Sequence, residues 1–212
     1  QEKWKDAAPL LVWIFREAPD FYRRNWAASL LTIYYLNERR LDNVYRLVPL
    51  LLQPDSFASR SVALNMAALQ AGDDLFAEEL YRDALWVYRL VYPKDLLQLN
   101  AERQIEMLQK QIDILQRTPG RIRRLLRAQE SLAEAEAELE ALKQIPNYDP
   151  ELHYRTARAY MEIRRYREAS EYFYDLYRDG PRDRQEESLY LSFHCATKFQ
   201  PRDKAFARGH EY

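Results

Sequence analysis

The chain has 212 residues, of which 47% are apolar and 31% charged, so it can bury a sizeable core and is too polar overall to lie in lipid. Lys and Arg number 32 against 33 Asp and Glu, and the net charge of -1 provides no global field that would draw the molecule onto nucleic acid or an anionic membrane. Only 4 glycines are present, which disfavours the tight turns of all-β folds and the Gly-rich phosphate loops of Rossmann and P-loop enzymes. The single cysteine, Cys195, excludes an internal disulfide.

The spacing of apolar residues predicts helices along the entire chain. Apolar side chains recur every three or four positions, and the alternation typical of β-strands does not occur. Short breaks rich in proline, asparagine, aspartate and glycine separate helices of about 12 to 25 residues, so that successive helices become antiparallel neighbours. The breaks fall at 19–20, 37–40, 53–55, 72–74, 92–93, 118–120, 146–150, 180–181 and 200–201. We therefore predict an all-α fold.

The segment from Pro150 to Pro181 is the clearest structural unit. Its two predicted helices have apolar or aromatic residues on their inner faces, namely His153, Ala157, Tyr160, Tyr166, Ala169, Phe173 and Leu176. The small residues Ala157 and Ala169 allow the two helices to approach closely. This spacing resembles the tetratricopeptide repeat, a helix-turn-helix unit of about 34 residues.

The same template fits most of the chain when the small residue of each second helix is used as a marker. The candidate markers are Ala8, Val44, Ala77, Ala135, Ala169 and Ala205, with separations of 36, 33, 58, 34 and 36 residues. In the second unit the template places the turn between the helices at Gly72-Asp73. Segments 3–18 and 204–212 resemble half repeats. The resemblance implies a right-handed solenoid of antiparallel helix pairs.

The separation of 58 residues between Ala77 and Ala135 exceeds one repeat by 24. We assign this surplus to residues 107–130, between the two helices of one repeat, with a turn at Thr118 to Gly120. Each helix would then be longer by about 12 residues and would project roughly 18 Å beyond its neighbours. Steps of three and four predict an antiparallel coiled coil of Ile105, Leu108, Ile112 and Leu115 with Ala128, Leu132, Ala135, Leu139 and Leu142.

The predicted organisation therefore has three parts. Residues 1–92 form tetratricopeptide-like repeats with an incomplete first one, and residues 93–146 form a repeat with elongated helices, a coiled-coil arm whose tip lies near 117–121. Residues 147–212 form further repeats with an incomplete last one. The fold class is thus an all-α solenoid with one elongated helical hairpin.

Five arginines lie within eleven residues at the tip of this arm: Arg117, Arg121, Arg123, Arg124 and Arg127. One interpretation is a docking site for phosphate, for an acidic protein surface or, peripherally, for an anionic membrane. The other is a solvated tip whose arginines pair with Asp113, Glu130 and neighbouring acidic residues. The sequence leaves both interpretations open.

No catalytic, cofactor or metal site is expected from the sequence. His153, His194 and His210 lack metal-ligand spacing, and the adjacent His194 and Cys195 point about 100° apart on a helix. The glutamates between 134 and 140 alternate around a helix and solvate it. No basic stripe is interleaved with aromatic residues, so nucleic-acid binding is not expected either.

In tetratricopeptide-like proteins the first helix of each pair builds a concave wall. Carrying this over selects a partner-binding groove of Trp26, Ile33, Asn37, Met66, Gln70, Tyr154, Arg158, Met161 and Glu162. The resemblance implies a non-catalytic scaffold that assembles a multiprotein complex by binding a protein or peptide, for example a helical one, through this groove and the arm. Self-assembly into a homo-oligomer and an accessory domain of a larger enzyme are the alternatives.

The sequence leaves the compartment open. The scarcity of cysteine and the resemblance to long exported bacterial repeat proteins favour the periplasm or cell envelope slightly over the cytoplasm. No stretch of 18 uncharged apolar residues occurs, so no transmembrane segment is expected.

Overall fold

The computed structural model describes residues 2–53, 56, 59, 61–118 and 120–200. This part of the chain contains ten α-helices and no β-strand, which confirms the all-α prediction. The helices are α1 (Glu2–Glu17), α2 (Phe21–Asn37), α3 (Leu41–Leu51), α4 (Val62–Ala77), α5 (Tyr81–Tyr88), α6 (Lys94–Gln116), α7 (Ile122–Gln144), α8 (Asp149–Glu162), α9 (Tyr166–Asp179) and α10 (Arg182–Ala196).

Among these ten helices of the described residues, none combines the length and the apolar character needed to cross a lipid bilayer. The half repeat predicted at 204–212, with Ala205 and His210, lies outside the described residues, as does Pro119.

The same turn joins the two helices of three pairs, α2–α3, α4–α5 and α8–α9. Its central residue has a positive φ in each pair, 54° at Arg39, 61° at Glu79 and 63° at Arg164. The next residue donates its N–H to the carbonyl five positions earlier, as Arg40 does to Tyr35 at 2.8 Å. This bond is the six-to-one bond of a Schellman motif. One turn geometry therefore recurs in three different sequence contexts.

The three pairs also share a buried seam of small or β-branched residues. One seam residue lies seven positions before the positive-φ residue, and the other lies five positions after it. The seam residues are Thr32 and Val44, Gly72 and Ala84, and Ala157 and Ala169, and all of them are buried. Because no seam side chain is larger than valine, the two helices of each pair can approach closely.

The turn predicted at Gly72-Asp73 is wrong. Both residues lie inside α4, and the chain turns at Glu78–Leu80 instead. The ring of Tyr88 occupies the space that a β-carbon on the glycine would need, so glycine serves a close helix approach here rather than a turn. The seam residue of the second helix is accordingly Ala84, whereas Ala77 is exposed at the end of α4.

The main core joins the helix pairs from α1 to α8. Helix α1 packs on α2, α2 on α4, and α5 on α8. The largest fully buried side chains of this core are those of Leu31, Val44, Val48, Leu51, Leu64, Val87 and Leu90. A second cluster around Phe173 and Leu176 holds α8, α9 and α10 together. Packing therefore runs between successive pairs, and α8–α9 follows directly on α4–α5.

Helices α6 and α7 form a hairpin that branches off between α5 and α8. Each has 23 residues. They are antiparallel, since Leu97 lies with Leu142 at the base of the hairpin, while Ile112 lies with Ala128 near its tip. The cluster near the tip contains residues of α6 and α7 only, whereas the cluster at the base also includes Val62 of α4. The hairpin is thus anchored to the main core at its base.

Hydrogen bonds hold the two ends of the hairpin side by side. The N–H of Lys94 donates to both carboxylate oxygens of Asp149 at 3.0 and 3.1 Å. The hydroxyl of Tyr148 donates to the carbonyl of Tyr92 at 2.8 Å. The Tyr92 N–H in turn donates to the buried amide oxygen of Asn65 at 2.6 Å, which ties this crossing point to α4. The chain therefore leaves and re-enters the body of the molecule at one place.

Candidate functional site

The nine residues predicted to line a groove lie on α2, α4 and α8, the first helices of the three pairs. The exposed ones are Trp26, Asn37, Gln70 and Glu162, and the half-buried ones are Met66, Tyr154, Arg158 and Met161. Ile33 is 9% exposed and belongs to the main core. Met66 packs against both the main core and the base of the hairpin. The polar and aromatic side chains of this set are therefore more exposed than its aliphatic ones.

Tyr154 is in contact with α10. Its hydroxyl donates to Glu187 at 2.7 Å, and the guanidinium of Arg184 lies 4.4 Å from the centre of its ring. On its other side the ring meets Phe173 edge-on, with centroids 6.0 Å apart. We call the surface formed by the nine predicted groove residues the first-helix surface. At Tyr154 this surface continues from α8 onto α10.

A polar cluster that the sequence analysis did not identify links α4, α5 and α8. The hydroxyl of Tyr88 donates to Oδ1 of Asp73 at 2.9 Å, and the guanidinium of Arg155 forms an ion pair with the same carboxylate. The side chains of Arg155 and Asp73 are 30% and 27% exposed, so water screens this pair only in part. Burial, together with the charge of Asp73, raises the pKa of Tyr88, which therefore remains a hydrogen-bond donor at neutral pH.

The same cluster extends to α10. Glu151 accepts from Arg155 at 3.0 Å and from Arg184 at 2.9 Å, so that one carboxylate bridges two guanidinium groups. Acidic and basic groups therefore alternate from α4 across α8 to α10 in a continuous chain of contacts. Such a network fixes the relative positions of these helices. The spacing of Glu151 and Arg155 by four residues is a signal in the sequence from which this part of the cluster could have been predicted.

A groove of about 810 Å³ runs along α6 and reaches the first turn of α7. Its apolar lining includes Tyr22, Met107 and Ile114, and its basic lining includes Arg103, Lys110, Arg121 and Arg124. Met107 and Ile114 are 67% and 64% exposed and, being seven residues apart, lie on the same side of α6. The groove is lined by no carboxylate among the described residues. It therefore suits a ligand that is both apolar and negatively charged.

All five arginines of the predicted tip are exposed. None of them forms an ion pair within the part of the chain that the structure describes, so the expected pairs with Asp113 and Glu130 are not made. Arg123 and Arg124 lie in the first turn of α7, which has no acidic residue. Cations at this end of a helix are disfavoured by the helix dipole. Helix stability therefore does not explain the arginine cluster.

His153, His194 and Cys195 are the described residues of these two types, and they do not come together in one cluster. His153, predicted to point inward, is exposed and meets Tyr172 edge-on, because Leu152 and Thr156 occupy the buried side of α8 instead. Cys195 is buried beside Phe173, and burial raises the pKa of its thiol to about 11. Within the described residues no group of three or more His, Cys, Asp or Glu side chains is arranged to bind a metal ion.

No protein family model, no curated protein and no solved structure matches the chain. The helix pairs, the polar cluster and the hairpin are therefore the features that bear on function.

Proposed function

We propose that the chain is a non-catalytic scaffold of the tetratricopeptide-like type, which binds a protein partner through its first-helix surface and its hairpin. The observation that carries this proposal is the recurrence of one turn and one buried seam in three helix pairs. A unit that is repeated in this way has an open edge on which the next unit can stack. The direct packing of α5 on α8 supports the stacking of successive pairs despite the inserted hairpin.

A right-handed solenoid would explain why the first helices carry so many polar and aromatic side chains at their surface. Helices held by a core and by a polar network need little ordering when a ligand binds, so a rigid groove loses less conformational entropy than a loop does. Trp26 is 38% exposed on α2, and Gln70 and Glu162 are exposed on α4 and α8. Such side chains suit a peptide or a helix with mixed polar and apolar character.

The hairpin offers a second surface, which adjoins the first-helix surface at Tyr22 of α2. Its groove combines exposed methionine and isoleucine with four basic side chains. Methionine adapts its shape to different apolar partners, and the surrounding cations select for negative charge. We therefore assign this groove to an acidic amphipathic segment of the partner.

A capture experiment in extract from the native host tests the proposal. The bait is the full chain, and in a first variant a short turn replaces residues 107–130. The second variant is Trp26→Ala, and its matched control is Trp86→Ala, which removes an equally exposed tryptophan from α5. We expect a partner that is retained by the control and weakened by both test variants. Retention of the same proteins by all four baits, or of none by any, would contradict the proposed function.

A further inference from the structure

The outer side of α7 carries two parallel stripes of exposed residues. The first stripe consists of Ile122, Leu126, Gln129, Ala133 and Ala137, and the second consists of the residue after each of these: Arg123, Arg127, Glu130, Glu134 and Glu138. Steps of three and four keep each stripe on one side of a helix. Ile122 and Leu126 are 71% and 53% exposed, so large apolar side chains of this stripe are open to solvent at the tip end.

The second stripe separates its charges by sign. Arg123 and Arg127 lie at the tip end of α7, and Glu130, Glu134 and Glu138 follow them toward the base. Like charges four residues apart on a helix repel each other. The pKa of Glu138 is raised, first by partial loss of hydration and second by the negative charge of Glu134 four residues before it. Within the described part of the chain none of these five groups forms an ion pair.

The arginines at the start of α7 also oppose the dipole of the helix. A helix favours anions in its first turn, whereas the first turn of α7 contains Arg123 and Arg124 and no acidic residue. In the last turn, Lys143 agrees with the dipole. The hairpin alone therefore gains nothing from the position of these arginines. An antiparallel copy of the same helix would gain from it, because its glutamates would lie opposite the arginines of the first copy.

We infer that α7 of one chain pairs with α7 of a second copy in antiparallel orientation, so that the two hairpins join the molecules in a symmetric dimer. The inference does not depend on the proposed function. It uses the outer face of α7, whereas the proposed partner groove runs along α6.

The register of this pairing follows from the two stripes. When the twofold axis passes between residues 129 and 130, Ile122 of each chain lies opposite Ala137 of the other, and Leu126 lies opposite Ala133. Large side chains thus meet small ones, as close helix packing requires. In the second stripe Arg123 comes between Glu134 and Glu138 of the other copy. The overlap of residues 122–137 is about 24 Å long.

Two other partners for the tip arginines are less well supported. An anionic membrane would bind Arg123 and Arg127, but it would be repelled by the three glutamates of the same stripe. An acidic protein would leave these glutamates without a partner in the same way. A partner surface that pairs with every charge of the stripe must place acidic groups opposite the arginines and basic groups opposite the glutamates. A second copy of α7 in antiparallel orientation does so by symmetry.

Charge reversal provides the main test, with the molar mass measured by sedimentation equilibrium. Wild type should form dimers that dissociate as the salt concentration rises. The R123E/R127E variant has an entirely acidic stripe, and the E134R/E138R variant has a stripe that is basic except for Glu130. Each variant alone should self-associate about tenfold or more weakly than wild type. An equimolar mixture of the two should form heterodimers, a result that misfolding cannot produce.

As control, R46E/R82E makes the same charge change as R123E/R127E, but on the exposed surface of α3 and α5, and should leave the dimer unchanged.

Cysteine cross-linking tests the orientation of the two helices. In a C195A background, I122C and A137C should form a disulfide with each other when the two variants are mixed, because these positions meet across the twofold axis. I122C alone should remain uncrosslinked, and its rapid self-crosslinking would overturn the antiparallel register. A wild-type protein that stays monomeric up to about 1 mM would overturn the inference itself. Such a monomer that also binds phosphatidylserine vesicles through Arg123 and Arg127 would assign the tip to membranes instead.

Discussion

The ring of Tyr88 lies so close to Gly72 that a β-carbon at position 72 would overlap the edge of the ring. The same tyrosine donates its hydroxyl to Asp73, which in turn pairs with Arg155. One contact between α4 and α5 thus brings the backbones together and also orients the acidic group that holds α8. The missing side chain at position 72 is therefore a condition for both the packing of one helix pair and its attachment to the next.

The variant Gly72→Ala should lower the free energy of unfolding by about 1–3 kcal/mol, the usual effect of forcing extra volume into a packed interior. Alanine has the higher helix propensity by about 1 kcal/mol, so a destabilisation shows that steric overlap prevails over propensity. Chemical denaturation provides the measurement. In a Tyr88→Ala background the same substitution should become neutral or stabilising. An equal loss in both backgrounds would show that the tyrosine is not the cause.

Replacing the basic group that bridges α4 and α8 should destabilise the protein measurably. Arg155→Gln removes a guanidinium that pairs with Asp73 and hydrogen-bonds Glu151, and we expect a loss of about 1–2 kcal/mol after allowance for partial screening by water. Arg158→Gln is the matched control on the same helix, since its pair with Glu162 at 3.4 Å is more exposed. It should change stability by less than about 0.5 kcal/mol. Equal effects of the two substitutions would argue against a structural role for the polar cluster.

The helices could be predicted from the sequence because periodicity and turn residues report on local structure. Asp20 caps α2 by accepting from the N–H of Arg23 at 2.7 Å, as the Pro19-Asp20 break indicates. The turn predicted at Gly72-Asp73 is wrong because glycine next to aspartate is typical of turns. In the structure this glycine lies inside α4 and allows α5 to approach closely. The real turns have arginine or glutamate at the positive-φ position, and these residues give no turn signal.

The candidate site was harder to predict because it depends on contacts between distant residues. Asp73 and Arg155 are separated by the entire hairpin in the sequence, and only the packing of α5 on α8 brings them together. The tip arginines were recognisable as a cluster, but their lack of ion pairs within the described part of the chain depends on side-chain directions that periodicity does not determine. The sequence predicts an elongated hairpin over residues 93–146, where α6 and α7 lie, but not the direct packing of α5 on α8 past this hairpin.

Shortening the hairpin should leave the body folded. Replacing residues 107–130 by a short turn removes the cluster of Ile112, Leu115 and Ala128, which contains side chains of the hairpin only. The base layer of Leu97 and Leu142 against Val62 remains, so the main core keeps its contacts. We expect one cooperative transition, with a free energy of unfolding within about 1 kcal/mol of wild type. A molten or multistep transition in circular dichroism would show that the body needs the whole hairpin.

Alkaline pH should destabilise the protein through Cys195. Burial raises the pKa of this thiol to about 11 in the folded chain, against about 8.5 in an unfolded one. Between these values the unfolded state loses its proton first, so the free energy of unfolding falls as pH rises, by about 2–3 kcal/mol at pH 11. Burial also raises the pKa values of Tyr45, Tyr88 and Tyr148. Because an unfolded tyrosine titrates near pH 10, these residues lower the free energy of unfolding in the same direction from about pH 10 upward.

Thiol labelling and a matched variant separate the contribution of the cysteine from that of the tyrosines. At pH 8 about 0.1% of the folded thiol is ionised, so a thiol reagent should label the native protein slowly and the denatured protein at once. Cys195→Ala should flatten the fall in stability between pH 8.5 and 10 and leave the decline above pH 10 that the tyrosines cause. Rapid labelling of the native protein at pH 8 would contradict the buried, neutral thiol. It would also reopen a nucleophilic role for Cys195 and its neighbour His194, which the present geometry does not support.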